Sequence, residues 1–297
     1  MKYPKDAEER PEATFDVVGI GNAIVDVISH ESDQFLKEFE LVKESMALID
    51  TELAVNIYEK MSSTSQSSGG SAANTMTGIT SLGGSAAYIG KVRKDSLGEF
   101  FIQDIHNAKV HYSLDPARNG LPTARSMIIV TPDGARTMNT YLGISTTLYK
   151  EDLDVEVLEN SKVLYCEGYI WDIEATKETI RSAMAIAKGA GRKISFTLSD
   201  SFCVLRHHQD WIDLVNGPID ILFGNEEEIQ ALSGSDTFEE AVNWVKGRVE
   251  IACLTRADKG SVIVHQEEII HVNAKPVQKI VDSTGAGDLY AAGFLYG

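Results

Sequence analysis

Strand-like and helix-like segments take turns along most of this chain. An apolar run over residues 15–29, FDVVGIGNAIVDVIS, starts as a buried strand, passes through a turn-prone, hydrogen-bonding stretch and resumes. After a mixed region that ends near Ser68, GGSAANTMTGITSLGG places two glycines ahead of a helix of small residues. SAAYIGKV then reads as strand and SLGEFFIQDIHNA as amphipathic helix. VLYCEGYI is the next strand, followed by a helix whose Ile180, Ala183, Met184 and Ala187 keep the i, i+3, i+4, i+7 spacing. KISFTLS, DILFGN and IACLT are further strands, the last two separated by the helix FEEAVNWVKGRV. Alternation of this kind predicts an α/β fold, a mostly parallel central sheet with helices on both faces, with ligands at the carboxyl ends of the strands. SMIIVTPDGARTMNTYL breaks the rhythm, because Pro132, Asp133 and Gly134 form a hairpin turn between two strand-like runs. That hairpin and the segments 24–28 and 46–49 are expected to form a small β lid, drawn approximately from residues 22–50 and 120–142.

Composition narrows the partners. The 27 Lys and Arg against 44 Asp and Glu give a net charge of −17, so nothing pulls the chain as a whole towards nucleic acid or an anionic membrane. Any phosphate must be held locally, by backbone N–H groups, a helix N-terminus or a metal, and a small-molecule partner is expected. No apolar stretch approaches the roughly 20 residues that span a bilayer. Cys166, Cys203 and Cys253 lack metal-ligand or redox spacing and read as core residues. Residues 1–14 are polar without the apolar centre of a secretory signal and read as a loose tail, with one domain over 15–297 and a cytoplasmic location as the default.

The segment from Asp282 to Asp288, DSTGAGD, runs into the helix-like LYAAGFLY. Gly285, Ala286 and Gly287 let the backbone approach a ligand, and consecutive N–H groups at a helix N-terminus make an anion site. Asp288 in the first helical turn is placed to take a proton from an attacking hydroxyl; the alternative is that it only caps the helix. Asn225 and Glu228 fit a capping box, and equally a set of groups that orders water around Mg²⁺. Gly69, Gly70 and Asn74 offer a close-approach loop and an amide to sugar hydroxyls, or simply start a helix. Asp26, a carboxylate inside the apolar AIVDVI, needs partners, and vicinal hydroxyls are good ones. Gly19 and Gly21 begin a dinucleotide pattern that fails at Ile24, and no P-loop occurs. His207 and His208 have no companion ligands at metal spacing and read as a solvated surface pair.

Taken in order, GNAIVD (21–26), GGSAAN (69–74), DGARTM (133–138), LSDSF (198–202), DILFGNEEE (220–228) and DSTGAGD (282–288) resemble the ribokinase-like, PfkB-type sugar and nucleoside kinases, most closely the adenosine kinase branch. The resemblance implies a ribokinase-like three-layer sandwich with a small β lid. It implies Asp288 as catalytic base, Gly285, Ala286 and Gly287 as the anion hole, and Arg136 as a lid arginine that closes over phosphates. Asn22, Asp26, Gly69, Gly70 and Asn74 match positions that hold a ribose, while Leu142 and Tyr169 match apolar positions around the acceptor's base. Asn225, Thr255, Gly260, Gly285 and Gly287 match the nucleotide side, and Asn225 with Glu228 the Mg²⁺ motif, through water. Thr255 to Gly260 corresponds to a loop usually written T-x-G-x-x-G, in which Ala257 replaces the middle glycine; if φ is positive there, the alanine is strained. Arg93 is a second departure, where relatives commonly carry glycine.

The expected activity is ATP-dependent phosphorylation of the adenosine 5′-hydroxyl, with ribokinase, fructokinase or another nucleoside kinase of the same family as the alternative. A catalytically silent binder and a dinucleotide oxidoreductase are the competitors from other classes, disfavoured respectively by the intact Asp288 segment and the failed fingerprint. ATP and Mg²⁺ are the implied co-substrate and cofactor, and the resemblance admits a monovalent cation and either a monomer or a homodimer. Relatives continue beyond the point matching Gly297 with a segment that walls the adenine of ATP, so a C-terminally truncated chain is expected.

Overall fold

The computed structural model describes residues 13–277 and 284–297. Most of the expected tail, together with Asp282 and Ser283, lies outside the described residues. The strands are β1 (Phe15–Ile20), β2 (Ile24–His30), β3 (Met46–Leu48), β4 (Thr64–Gly69), β5 (Ala86–Ile89), β6 (Ala124–Val130), β7 (Arg136–Tyr141), β8 (Ser161–Glu167), β9 (Lys193–Thr197), β10 (Ile221–Asn225), β11 (Ile251–Thr255), β12 (Ser261–His265) and β13 (Glu268–Val272).

An eight-stranded sheet runs in the order β13-β12-β11-β10-β9-β8-β1-β5. The pairs from β5 to β11 are parallel, and β12 and β13 close one edge antiparallel. Its inner strands read as unbroken apolar runs because both faces are covered. Val17, Tyr165 and Phe223 enter one hydrophobic cluster while their chain neighbours Val18, Leu164 and Leu222 enter the other. Trp171 and Trp211, both fully buried, anchor the second cluster around Phe196. Among the described residues no helix is long and apolar enough to cross a membrane.

The remaining strands make a five-stranded sheet, β3-β7-β6-β2-β4. The hairpin forms as its turn residues require: β6 and β7 pair antiparallel with Gly134 at φ 84°. The run over residues 15–29 is divided, with β1 in the large sheet and β2 in the small one. The three residues between them therefore sit where the sheets meet. Strand β4 lies beyond the expected segments 22–50 and 120–142, and its sequence, TSQSSG, carries no apolar alternation. Its place comes from β2, against which Asp26 pairs with Ser67 and Ile24 with Gly69.

Two helices complete the floor of the junction. Ser71–Leu82 and Ala286–Tyr296 pack so closely that a Cβ on Gly78 would stand 2.6 Å from the Ala292 methyl. That contact brings the two helix N-termini side by side.

Candidate active site

A cleft of about 750 Å³ opens at the carboxyl ends of β1, β8, β9, β10 and β11, under the five-stranded sheet. Of the residues singled out in the sequence, Asn22, Asp26, Gly70, Asn74, Leu142, Tyr169, Asn225, Glu228, Thr255, Gly285, Ala286, Gly287 and Asp288 line it. Gly69, Gly260 and Arg136 do not. Gly69 lies beside Asp26, where a Cβ would meet the carboxylate at 2.6 Å. Gly260 lines a second cavity of about 330 Å³, which shares Thr255, Ala286, Gly287 and Tyr290 with the first. The glycine-rich turn thus borders both spaces. Arg136, at the start of β7, reaches down from the small sheet, and its Nη1 donates to Thr284 Oγ1 at 3.2 Å.

Gly285 caps the helix Ala286–Tyr296 with φ 72°, leaving the first-turn N–H groups without intrahelical acceptors. Asp288 is held in that turn from the neighbouring helix: Ser71 Oγ donates to Oδ1 at 2.6 Å and Asn74 Nδ2 donates to Oδ2 at 3.0 Å. Burial raises its carboxyl above the ordinary range, against those two bonds. Asp26 is pushed up to about 6 by burial, with Arg136 lowering it and the charge of Asp288 raising it. The two carboxylates therefore line one cleft, with the Arg136 charge near enough to act on Asp26.

Asn225 and Glu228 form the capping box of the helix Glu226–Ser233. Asn225 N donates to Glu228 Oε2 at 3.0 Å, Asn225 Nδ2 to Oε1 at 2.7 Å, and Glu228 N to Asn225 Oδ1 at 2.9 Å. Burial pushes Glu228 up to about 7, the Asn225 bond opposing it and Asp200 and Glu227 adding to it. Both oxygens of this carboxylate are committed, and among the described residues no group of three His, Cys, Asp or Glu is arranged to hold a metal. A single carboxylate and an amide at the edge of this cleft fit Mg²⁺ held through water, and do not fit a cation caged by protein oxygens alone.

Ala257 takes φ 48°, so the position where the related pattern has glycine does adopt the left-handed region. Arg93 forms a β-bridge with Ala117 and is not among the residues that line the cleft. Cys166, Cys203 and Cys253 are buried and unpaired in disulfides. The histidine pair is corrected: neither ring is freely solvated. His207 Nε2 lies 2.7 Å from Asp172 Oδ1, and His208 Nε2 lies 2.9 Å from the Leu232 carbonyl.

Two groups at this site escaped the sequence reading. Ser71 was seen only as a helix residue, yet it holds Asp288. Glu167, at the end of β8, is 1 % exposed, and it accepts from Asn22 N and Ala72 N, each at 2.8 Å. Like Asp26, Glu167 is a carboxylate in an apolar strand, here within LYCEG, and such a group needs buried partners.

Residues 40–297 match the pfkB family carbohydrate kinase profile. Among solved structures, a probable sugar kinase protein from Rhizobium etli CFN 42 is 47 % identical with a TM-score of 0.88, the match covering 96 % of this chain and 87 % of that one. The adenosine kinase from Sinorhizobium meliloti is 46 % identical with a TM-score of 0.88, over 96 % and 88 % of the two chains. A fructokinase of Klebsiella pneumoniae is 27 % identical over 240 residues, 78 % of this chain and 77 % of that protein. With a family match that runs from residue 40 to residue 297 and takes in the turn that carries Asp288, the chain is a member of the pfkB family of carbohydrate kinases, a phosphotransferase acting on a hydroxyl acceptor.

Proposed function

We propose that this chain transfers the γ-phosphoryl group of ATP to the 5′-hydroxyl of adenosine, giving AMP and ADP. The observation that carries the proposal is the placement of Asp288. It stands at the N-terminal turn of its helix, bonded by Ser71 and Asn74, and lines the cleft together with Asp26, while its neighbours Ala286 and Gly287 line both that cleft and the second cavity.

In this reading the acceptor's ribose lies on Asn22, Asp26, Gly69, Gly70 and Asn74, with Asp26 accepting from the vicinal hydroxyls. Asp288 accepts the proton of the attacking hydroxyl. The new bond forms from that oxygen to the γ-phosphorus, the bond from phosphorus to the β-phosphate oxygen breaks, and ADP leaves. A loose phosphoryl transition state asks for alignment and charge stabilisation. The N–H groups of the 285–287 turn supply the anion hole, and Arg136 approaches the same space from the small sheet, which acts as the lid. Thr255 and Gly260 flank the nucleotide. Mg²⁺, held through water near Asn225 and Glu228, would neutralise charge on the phosphates.

A nucleoside is favoured over a bare sugar by the cleft's apolar mouth. Met46, Leu48 and Phe202, which line it, are 46 %, 54 % and 71 % exposed. A hexose would leave these side chains facing water, whereas a flat base covers them. The 46 % identity to the Sinorhizobium adenosine kinase supports the same choice. The second reading is a sugar kinase, supported by the similarity to the Klebsiella fructokinase. ADP release measured with adenosine, inosine, guanosine, ribose and fructose separates them. Adenosine is expected to give the highest kcat/KM, and a higher value for ribose or fructose would overturn the nucleoside reading.

A further inference from the structure

The helix Ser71–Leu82 starts without a cap of its own. Gly70 is the N-cap residue, with φ 97° and no side chain to accept a hydrogen bond. A capping Ser or Asp is excluded there, because a Cβ would meet the Asn22 carbonyl oxygen at 2.2 Å. The missing acceptor arrives from β8: Glu167 Oε2 accepts from Ala72 N, one of the first-turn donors, while Oε1 accepts from Asn22 N. Room for the carboxylate is left by Gly21, whose Cβ would stand 2.3 Å from Oε2.

We propose that Glu167 is a positioning residue: its buried carboxylate staples the β1–β2 turn to the start of the helix Ser71–Leu82 and thereby sets Ser71 and Asn74, which hold Asp288. The last link rests on the reading of Asp288 as the base. Burial pushes Glu167 up to about 7 while the two amide bonds oppose it, so the ionised staple depends on both of its partners staying in place. Gly21, Gly70 and Glu167 form one device. The two glycines let the chain come close, and the carboxylate replaces the cap that closeness forbids.

The test compares Glu167→Gln, which turns an NH₂ group towards one of the two amide donors, with Gly21→Ala, which keeps the charge and displaces it. Hydrogen exchange read on peptides spanning residues 16–24 and 70–78 is expected to quicken about tenfold in both variants, with the strands β9 to β11 unchanged. Turnover with adenosine and ATP, or with fructose if that is the acceptor used, is expected to fall roughly 10- to 100-fold, the range that small misplacements produce. In an Asp288→Asn background the same Glu167→Gln change is expected to lower the residual kcat by less than about threefold, since one pathway is already lost. Unchanged exchange in the two peptides overturns the staple. Effects that multiply fully in the double variant overturn the action through Asp288 and leave a purely structural role. Near-normal turnover of Asp288→Asn alone would overturn the reading of the base, and the exchange rates would then decide the staple by themselves.

Discussion

Replacing Gly70 by alanine attacks the junction at its most crowded point. The residue holds φ 97° and ψ 133°, where a side chain is strained by about 1 to 3 kcal/mol. The added Cβ would lie 2.2 Å from a backbone oxygen of Asn22, so backbone must move, at a further cost of roughly 1 to 3 kcal/mol. Loss of unfolded-state freedom returns about 0.4 to 1 kcal/mol, leaving a net destabilisation of roughly 1 to 5.5 kcal/mol. At about 2 to 4 °C per kcal/mol for a chain of this size, the melting temperature falls by roughly 2 to 22 °C. Gly189, at the end of the helix Glu174–Gly189, is the control, because its Cβ would meet nothing within 4 Å. Gly189→Ala should leave the melting temperature unchanged or slightly raised. Calorimetry on the two variants decides the matter. A Gly70→Ala protein melting within 1 °C of the parent, or a Gly189→Ala protein destabilised as much as Gly70→Ala, would show that crowding at Gly70 does not set the stability of the junction.

Ala257 sits at φ 48°, a conformation that costs a non-glycine residue about 1 to 2 kcal/mol. Ala257→Gly is therefore expected to raise the unfolding free energy in urea by roughly 0.5 to 1 kcal/mol, and a loss of stability would show that the alanine is not strained. Glu228 ionises near 7 in the folded protein against an ordinary 4.5, so between those values the folded state holds the extra proton. Its contribution is present in full below pH 4.5 and is lost as pH rises through 7, about 3 kcal/mol over the window. Urea unfolding at pH 5 and pH 7 should show a smaller fall for Glu228→Gln than for the parent; equal falls would contradict the burial of that charge.

The large sheet was legible because strands covered on both faces must be apolar throughout, as VVGI, LYC and ILF are. The small sheet was legible in part. Its hairpin announces itself through Pro132 and Gly134, but TSQSSG becomes β4 only because β2 offers it a partner. No local property of those six residues encodes that pairing. The division of residues 15–29 between two sheets was hidden for a related reason: both halves are apolar, and only the tertiary structure turns the chain at 21–23. At the site, charged or glycine-rich segments stood out, which is how Asp26, Asn225 and Asp288 were found. Ser71 was not, since a serine at a helix start has an ordinary local explanation.

If Asp288 takes the acceptor's proton, Asp288→Asn abolishes that transfer. The substitution keeps the shape and removes the basic oxygen. Steady-state ADP release is predicted to lose about 10²- to 10⁴-fold in kcat, while calorimetric binding of adenosine changes by no more than about threefold. Near-normal turnover by the asparagine variant would show that Asp288 is not the base.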